Sequence, residues 1–256
     1  MSKETMTLRD MILSDREIRV TLEQKLVIPA DPAYKRMNMQ GGGWDGTFGY
    51  YAMNELGRDA SVRTKLYKVD LDRWEVVAES GPFFFCHAND ITYDSRHDRL
   101  LVTHCNVDPH MISSVDPKTL TLNEQLRIPV RHYALAYNPK RDQYVAGKSA
   151  CYDISVMDSD FQELKVYECE DGFTKQGMEC DDDFIYFFHT GCRYNHIWIY
   201  DWDGKHIRTV KVPMVGESEN LFRRGNGFVA AFNASAGGDQ FQGVIYEMTF
   251  SVDEES

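Results

Sequence analysis

Residues 67–80 read YKVDLDRWEVVAES: an alternating apolar run, an aspartate, a short turn and a second alternating run. Period-two alternation on both sides of turn residues describes two antiparallel strands joined as a hairpin. The same sentence is written three more times, as SSVDPKTLTLNEQLRI (113–128), SVMDSDFQELKVYEC (155–169) and WIYDWDGKHIRTVKVP (198–213). In each copy an aspartate (Asp70, Asp116, Asp158, Asp201) stands where its carboxylate can accept N–H groups two residues on and close the turn.

Each hairpin has a second strand pair beside it. These read MQGGGWDGTFGYYAMNE (39–55), HANDITYDSRHDRLLVTHC (87–105), HYALAYNPKRDQYVAGK (132–148), KQGMECDDDFIYFFHTG (175–191) and ENLFRRGNGFVAAFN (219–233). Taking Gln40, Asn89, Tyr133, Gln176 and Glu219 as equivalent, the steps between them are 49, 44, 43 and 43 residues. Four strands recurring at that interval predict an all-β fold, a five-bladed β-propeller with four antiparallel strands per blade. A β-sandwich of evenly spaced strands competes, but the repeat extends to turn chemistry as well as to strand spacing. The expected organisation is a single propeller domain over 1–256, with 1–16 as an N-terminal extension. Blades are expected at about 38–80, 85–128, 131–169, 174–213 and 217–250. The last unit lacks a fourth strand, and EIRVTLEQKLVIP (17–29) is a strand without a partner. Pairing of 17–29 with 243–250 would close the ring and remove an exposed edge.

Composition narrows the function classes. With 40 acidic against 28 basic side chains, the net charge of −12 opposes binding to phosphate backbones, so no nucleic-acid partner is expected. No segment has the length of a membrane span or the apolar run of a secretory leader, so no membrane association and a cytoplasmic location are expected. Six cysteines without CxxC spacing predict reduced thiols. No cofactor is specified, and the oligomeric state is open.

In a propeller the loops entering the inner strands gather on one face with those joining strands two and three, and function is expected in the funnel there. Gln40, Trp44, Asn89, His132, Tyr133, Gln176, His189 and Asn220 are the expected ligand-binding residues. Asp90, Glu219, His87 and His104 are the expected proton-transfer groups, with Asp90 paired to Glu217 or Glu219 for acid and base work. Histidines from several blades raise a metal-dependent hydrolase or lactonase as an alternative, although spacing assigns no metal ligand. Gly41-Gly42-Gly43 lacks the frame of a phosphate loop and is expected to relieve crowding where the first inner strand enters the channel. The run ECDDDF (179–184) is read as a solvated turn. The loops 54–65, with Arg58 and Arg63, and 233–243 are read as candidate lids.

The run MQGGGWDGTFGYYAMNELGRDASVRTKLYKVDL resembles the first blade of the five-bladed glutaminyl cyclotransferases, which have a QG at an inner-strand entry, a Gly-Arg-containing loop and a KVDL-like hairpin. NDIT (89–92) falls at that family's EGIT-like segment and SENL (218–221) at its NELE-like one. The resemblance implies a site at the channel mouth and proton transfer by an acidic residue at the EGIT-like position. That position is Asn89 here, an amide that exchanges no proton at neutral pH, and Asp90 is its local substitute. The expected function is binding of a small polar molecule or peptide terminus at the funnel, with its transformation left open; an enzyme there would be a cyclotransferase-like activity, a hydrolase or a lyase. A non-catalytic protein-interaction module is the alternative from another class.

Overall fold

The structure is a computed structural model and describes residues 6–34, 36–56, 62–85, 87–105, 108–148, 153–169, 174–191, 194–238 and 240–252, without the side chains of 174 and 175. A short helix α1 (Leu8–Leu13) leads to strand β1 (Ile18–Ile28). Blade 1 comprises β2 (Met37–Trp44), β3 (Phe48–Glu55), β4 (Thr64–Asp70) and β5 (Glu75–Glu79). Blade 2 has β6 (Ala88–Asp94), β7 (Arg99–His104), β8 (Met111–Val115) and β9 (Leu122–Arg127). Blade 3 has β10 (His132–Asn138), β11 (Gln143–Lys148), β12 (Ile154–Met157) and β13 (Glu163–Tyr167). Blade 4 has β14 (Thr174–Cys180), β15 (Phe184–Thr190), β16 (Asn195–Asp201) and β17 (His206–Val212). Blade 5 is built from β18 (Ser218–Arg224), β19 (Gly227–Gly237), β20 (Gln240–Val252) and, outermost, β1. Each blade is one antiparallel sheet, and the five surround a common axis.

The ring closes where the sequence left a strand unpartnered. β1 runs antiparallel to β20, from Ile18 opposite Val252 to Ile28 opposite Gly243. The hairpin aspartates act as expected: Asp70, Asp116, Asp158 and Asp201 each accept two backbone N–H groups at 2.7–3.0 Å. The same device closes the turns after the inner strands of blades 1 to 4, through Asp45, Asp94, Asn138 and Asp181. Blade 5 has Arg224 at that place and turns through Gly225, at φ 57°.

Five apolar clusters fill the five interfaces between neighbouring blades. Alternation feeds two clusters from one strand: Tyr50 packs between blades 1 and 2, and Tyr51, next to it, between blades 5 and 1. Strands with a blade on either side are buried almost throughout, whereas outer strands such as β5 and β9 face solvent.

The N-terminal extension packs on the propeller: Thr7 caps α1, whose Leu8, Met11 and Ile12 insert between blades 4 and 5. Arg208 fastens it by donating to the carbonyls of Met11 and Arg16 at 2.9 and 3.1 Å, and to that of Ser14. One expectation is corrected: residues 233–238 and 240–243 are not a lid but the ends of β19 and β20 and the turn between them, with Ala234 opposite Gln242. Arg58 lies outside the described residues, while Arg63 forms a two-point ion pair with Glu55 at 2.8 and 2.9 Å.

Candidate functional site

The inner strand of every blade carries a register irregularity against its neighbour, between Met39 and Gly42, Ala88 and Ile91, His132 and Ala134, Lys175 and Met178, and Ser218 and Asn220. Gln40, Asn89, Tyr133, Gln176 and Glu219 fall inside these five bulges. A bulge releases a residue from the ladder and re-aims its side chain, which here places five equivalent residues around one end of the channel.

Below that ring the channel is shut. A Cβ on Gly41 would lie 2.6–2.8 Å from the backbone of Asp90, and one on Gly177 would lie 2.7 Å from the Cα of Asn220. The inner strands thus approach as closely as glycine permits, the role expected of the triplet. Asp90 is part of this closure. Its carboxylate accepts N–H groups from Ile91 at 3.0 Å, from Leu135 of blade 3 at 3.1 Å and from Met178 of blade 4 at 3.2 Å. Burial drives its pKa well up against the pull of those donors. Asp90 is wholly inaccessible and joins three blades. The expected pairing of Asp90 with Glu217 or Glu219 is not made: its partners are backbone groups.

Glu219 instead pairs with Glu217. It is buried, receives Gln40 Nε2 on Oε2 at 3.0 Å and receives Asn233 Nδ2 on Oε1. Burial first, and then the charge and hydrogen bond of Glu217, push its pKa well above the carboxylate range. Gln176 Nε2 donates to Glu217 Oε1 at 3.2 Å, and Asn220 Nδ2 donates to the Gln40 carbonyl at 2.8 Å. Blades 4, 5 and 1 therefore converge on a carboxyl pair with one member sealed and the other, Glu217, exposed. Two adjacent carboxyls resist double ionisation and share a proton. Such a pair can take a proton from a bound amine and return it to a leaving group.

The predicted residues of blades 2 and 3 form a separate group. Asn89 Nδ2 donates to the Tyr133 carbonyl at 2.9 Å, and the Tyr133 ring covers Gly147. His104 Nε2 contacts Ser113 Oγ at 2.8 Å, and His132 Nδ1 contacts the Val130 carbonyl at 3.0 Å. Burial lowers both imidazoles to about 4, so they are neutral at pH 7; burial lowers His87 as well. His189 is buried against Phe187 and Trp198. Among the described residues no group of three or more His, Cys, Asp or Glu is placed to hold a metal ion.

Trp44 is the expected residue that the fold carries elsewhere. It ends β2 four residues beyond Gln40, about 13 Å along a strand, and lines a cavity at the opposite mouth with Glu179. Glu179 itself was hidden inside ECDDDF: only Asp181–Asp183 form the solvated turn, while Glu179 belongs to β14. Counting three residues on from Gln176 along the repeat would have placed it inside.

No family model matches the sequence, and no curated protein resembles it. Solved structures do. The tail fiber of Staphylococcus aureus phage P68 superposes with a TM-score of 0.65 at 11% identity, over 90% of this chain and 52% of that one. This chain thus spans about half the length of the tail fiber. The glutaminyl cyclase of Myxococcus xanthus superposes with a TM-score of 0.59 at 10% identity, over 93% of this chain and 100% of that one. At such identities the likeness is one of fold, and it agrees with the propeller resemblance carried by the first blade.

Proposed function

We propose that the mouth formed by blades 4, 5 and 1 binds the amino end of a peptide or a similar small polar amine, and that Glu219 with Glu217 moves a proton on it. The observation that carries this reading is the carboxyl pair: a buried Glu219, its pKa raised by burial and by Glu217, fixed by two amide donors beside an exposed Glu217. A cyclotransferase-type reaction fits, because an attacking amine must lose a proton and departing ammonia must gain one.

Synthetic peptides with N-terminal glutamine, followed by mass spectrometry for loss of ammonia, test it. Wild type is expected to convert them, N-acetylated peptides to be inert, and Glu219→Gln to lower the rate by roughly 100-fold or more. No turnover and no binding by wild type would overturn the proposal. A non-catalytic interaction face is the second reading, favoured by Leu56, Phe84, Tyr194 and Val215, which lie exposed in loops on this same face. It requires peptide binding without turnover, unaffected by Glu219→Gln.

A further inference from the structure

At the far mouth of the channel, beyond the seal made by Gly41 and Asp90, lies a cavity of about 320 Å³. Its walls include the aromatic side chains of Trp44, Tyr93, Tyr137 and Phe222, its acidic groups are Asp45, Glu179 and Asp181, and Arg223 also lines it. Asp181 is already paired with Arg223 at 2.6 Å. Asp45 and Glu179 have no basic side chain within ion-pair distance among the described residues, although Asp45 Oδ1 accepts the Thr47 and Phe48 N–H groups and its Oδ2 the Tyr50 hydroxyl at 2.6 Å. Glu179 is held by backbone alone: Oε1 accepts the Cys180 N–H at 2.8 Å and Oε2 the Arg223 N–H at 3.1 Å, which leaves a lone pair free on each oxygen.

The position of Glu179 is unusual within the repeat. Three residues beyond the ring position the other blades carry Gly43, Thr92, Ala136 and Phe222, none of them charged. Burying a carboxylate where an apolar or small residue packs equally well costs stability. We propose that this second mouth is a ligand site for a small organic cation, a guanidinium or an alkylammonium, held between the aromatic walls and the carboxylates of Glu179 and Asp45. Aromatic faces and unpaired carboxylates both attract such a cation, and the volume suits a compact one. The proposal is independent of the reading of the funnel.

Because burial raises Glu179 to about 7, cation binding should tighten as the pH rises from 6 to 8. Facing Glu179 are Arg223 on β18, Cys180 on β14, Asp181 in the turn that follows it, and Asp90 on β6; Asp90 and Cys180 are both pushed upward by burial.

Titration calorimetry with agmatine and choline, and with 3,3-dimethylbutanol as an uncharged mimic of choline, provides the test. Wild type is expected to bind at least one of the two cations and to bind the alcohol at least tenfold more weakly. Glu179→Gln should weaken cation binding tenfold or more. Ser95→Trp, at the exposed rim, should block it without touching the core. Glu219→Gln, at the other mouth, should leave it unchanged. Absence of binding by wild type, or cation affinities of Glu179→Gln and Ser95→Trp equal to wild type, would overturn the proposal.

Discussion

Glu179 should make the protein lose stability as the pH rises from about 4.5 to about 7. Its carboxyl titrates at 4.5 when unperturbed and at about 7 in the fold, because burial outweighs the two N–H groups and the Arg223 charge that favour the anion. Between those pH values the native state keeps a proton that the unfolded chain has released. The unfolded state then binds fewer protons, and stability falls with rising pH. Each pH unit of that interval is worth about 1.4 kcal/mol, so the whole interval amounts to about 3 kcal/mol. A glutamine at this position carries no titrating proton; its Oε1 can accept the N–H of Cys180 or of Arg223, and the other N–H loses its acceptor at a cost that does not depend on pH. Glu179→Gln should therefore gain about 3 kcal/mol on wild type between pH 5 and pH 8. Urea unfolding at pH 5, 6, 7 and 8 measures the difference, with the slope m checked for constancy. Asp90 and Glu219 titrate in both proteins and largely cancel. Parallel stability profiles, or a wild type that gains on the variant as the pH rises, would refute the reasoning.

Gly41→Ala would drive a methyl group to 2.6–2.8 Å from the Asp90 backbone and separate two inner strands; a loss of about 1–3 kcal/mol is expected in urea unfolding. Gly81→Ala, with open space around it, should be close to neutral in the same assay. Arg208→Ala removes three donations to the N-terminal arm, and limited proteolysis should cut before residue 18 faster than in wild type while the propeller core survives.

The fold was legible because it is periodic and its periodicity is local. An Asx turn is decided within three or four residues, so Asp70, Asp116, Asp158 and Asp201 could be read as hairpins from sequence, and the spacing of Gln40, Asn89, Tyr133, Gln176 and Glu219 gave the blade count. The closing strand was legible for the opposite reason: 17–29 alternates like a strand and had no neighbour to pair with. Helix α1 was legible but missed, since Leu8, Met11 and Ile12 already have the i, i+3, i+4 spacing of one helix face. The depth of each residue along the axis was not legible. Asn89 and Asp90 are adjacent in one bulge, yet Asn89 belongs to the ring while Asp90 is sealed beneath it. That difference depends on how closely β2, β10 and β14 approach, which no local pattern encodes. Trp44 was misplaced on the same account: equivalence along the repeat fixes the blade and the strand, and only rise along the strand separates one mouth from the other.

A five-fold repeat supplies five geometrically equivalent positions at the channel mouth, so chemistry there requires that the equivalence be broken. At the ring the side chains are Gln40, Asn89, Tyr133, Gln176 and Glu219, and one of the five is a carboxyl. Its neighbours are arranged around it. Gln40 comes from the next blade, Asn233 from the second strand of its own, and Glu217 from the loop that enters it. The opposite mouth breaks the symmetry again, through Glu179 at a position where the other blades carry no charge. Between the two lies the contact of Gly41 with Asp90, where a single carboxylate reaches from blade 2 to backbone groups of blades 3 and 4. A channel narrow enough for that bridge admits no ligand from one end to the other. The two mouths must then act on what reaches each from its own side, and a substitution that alters binding at one should leave the other intact.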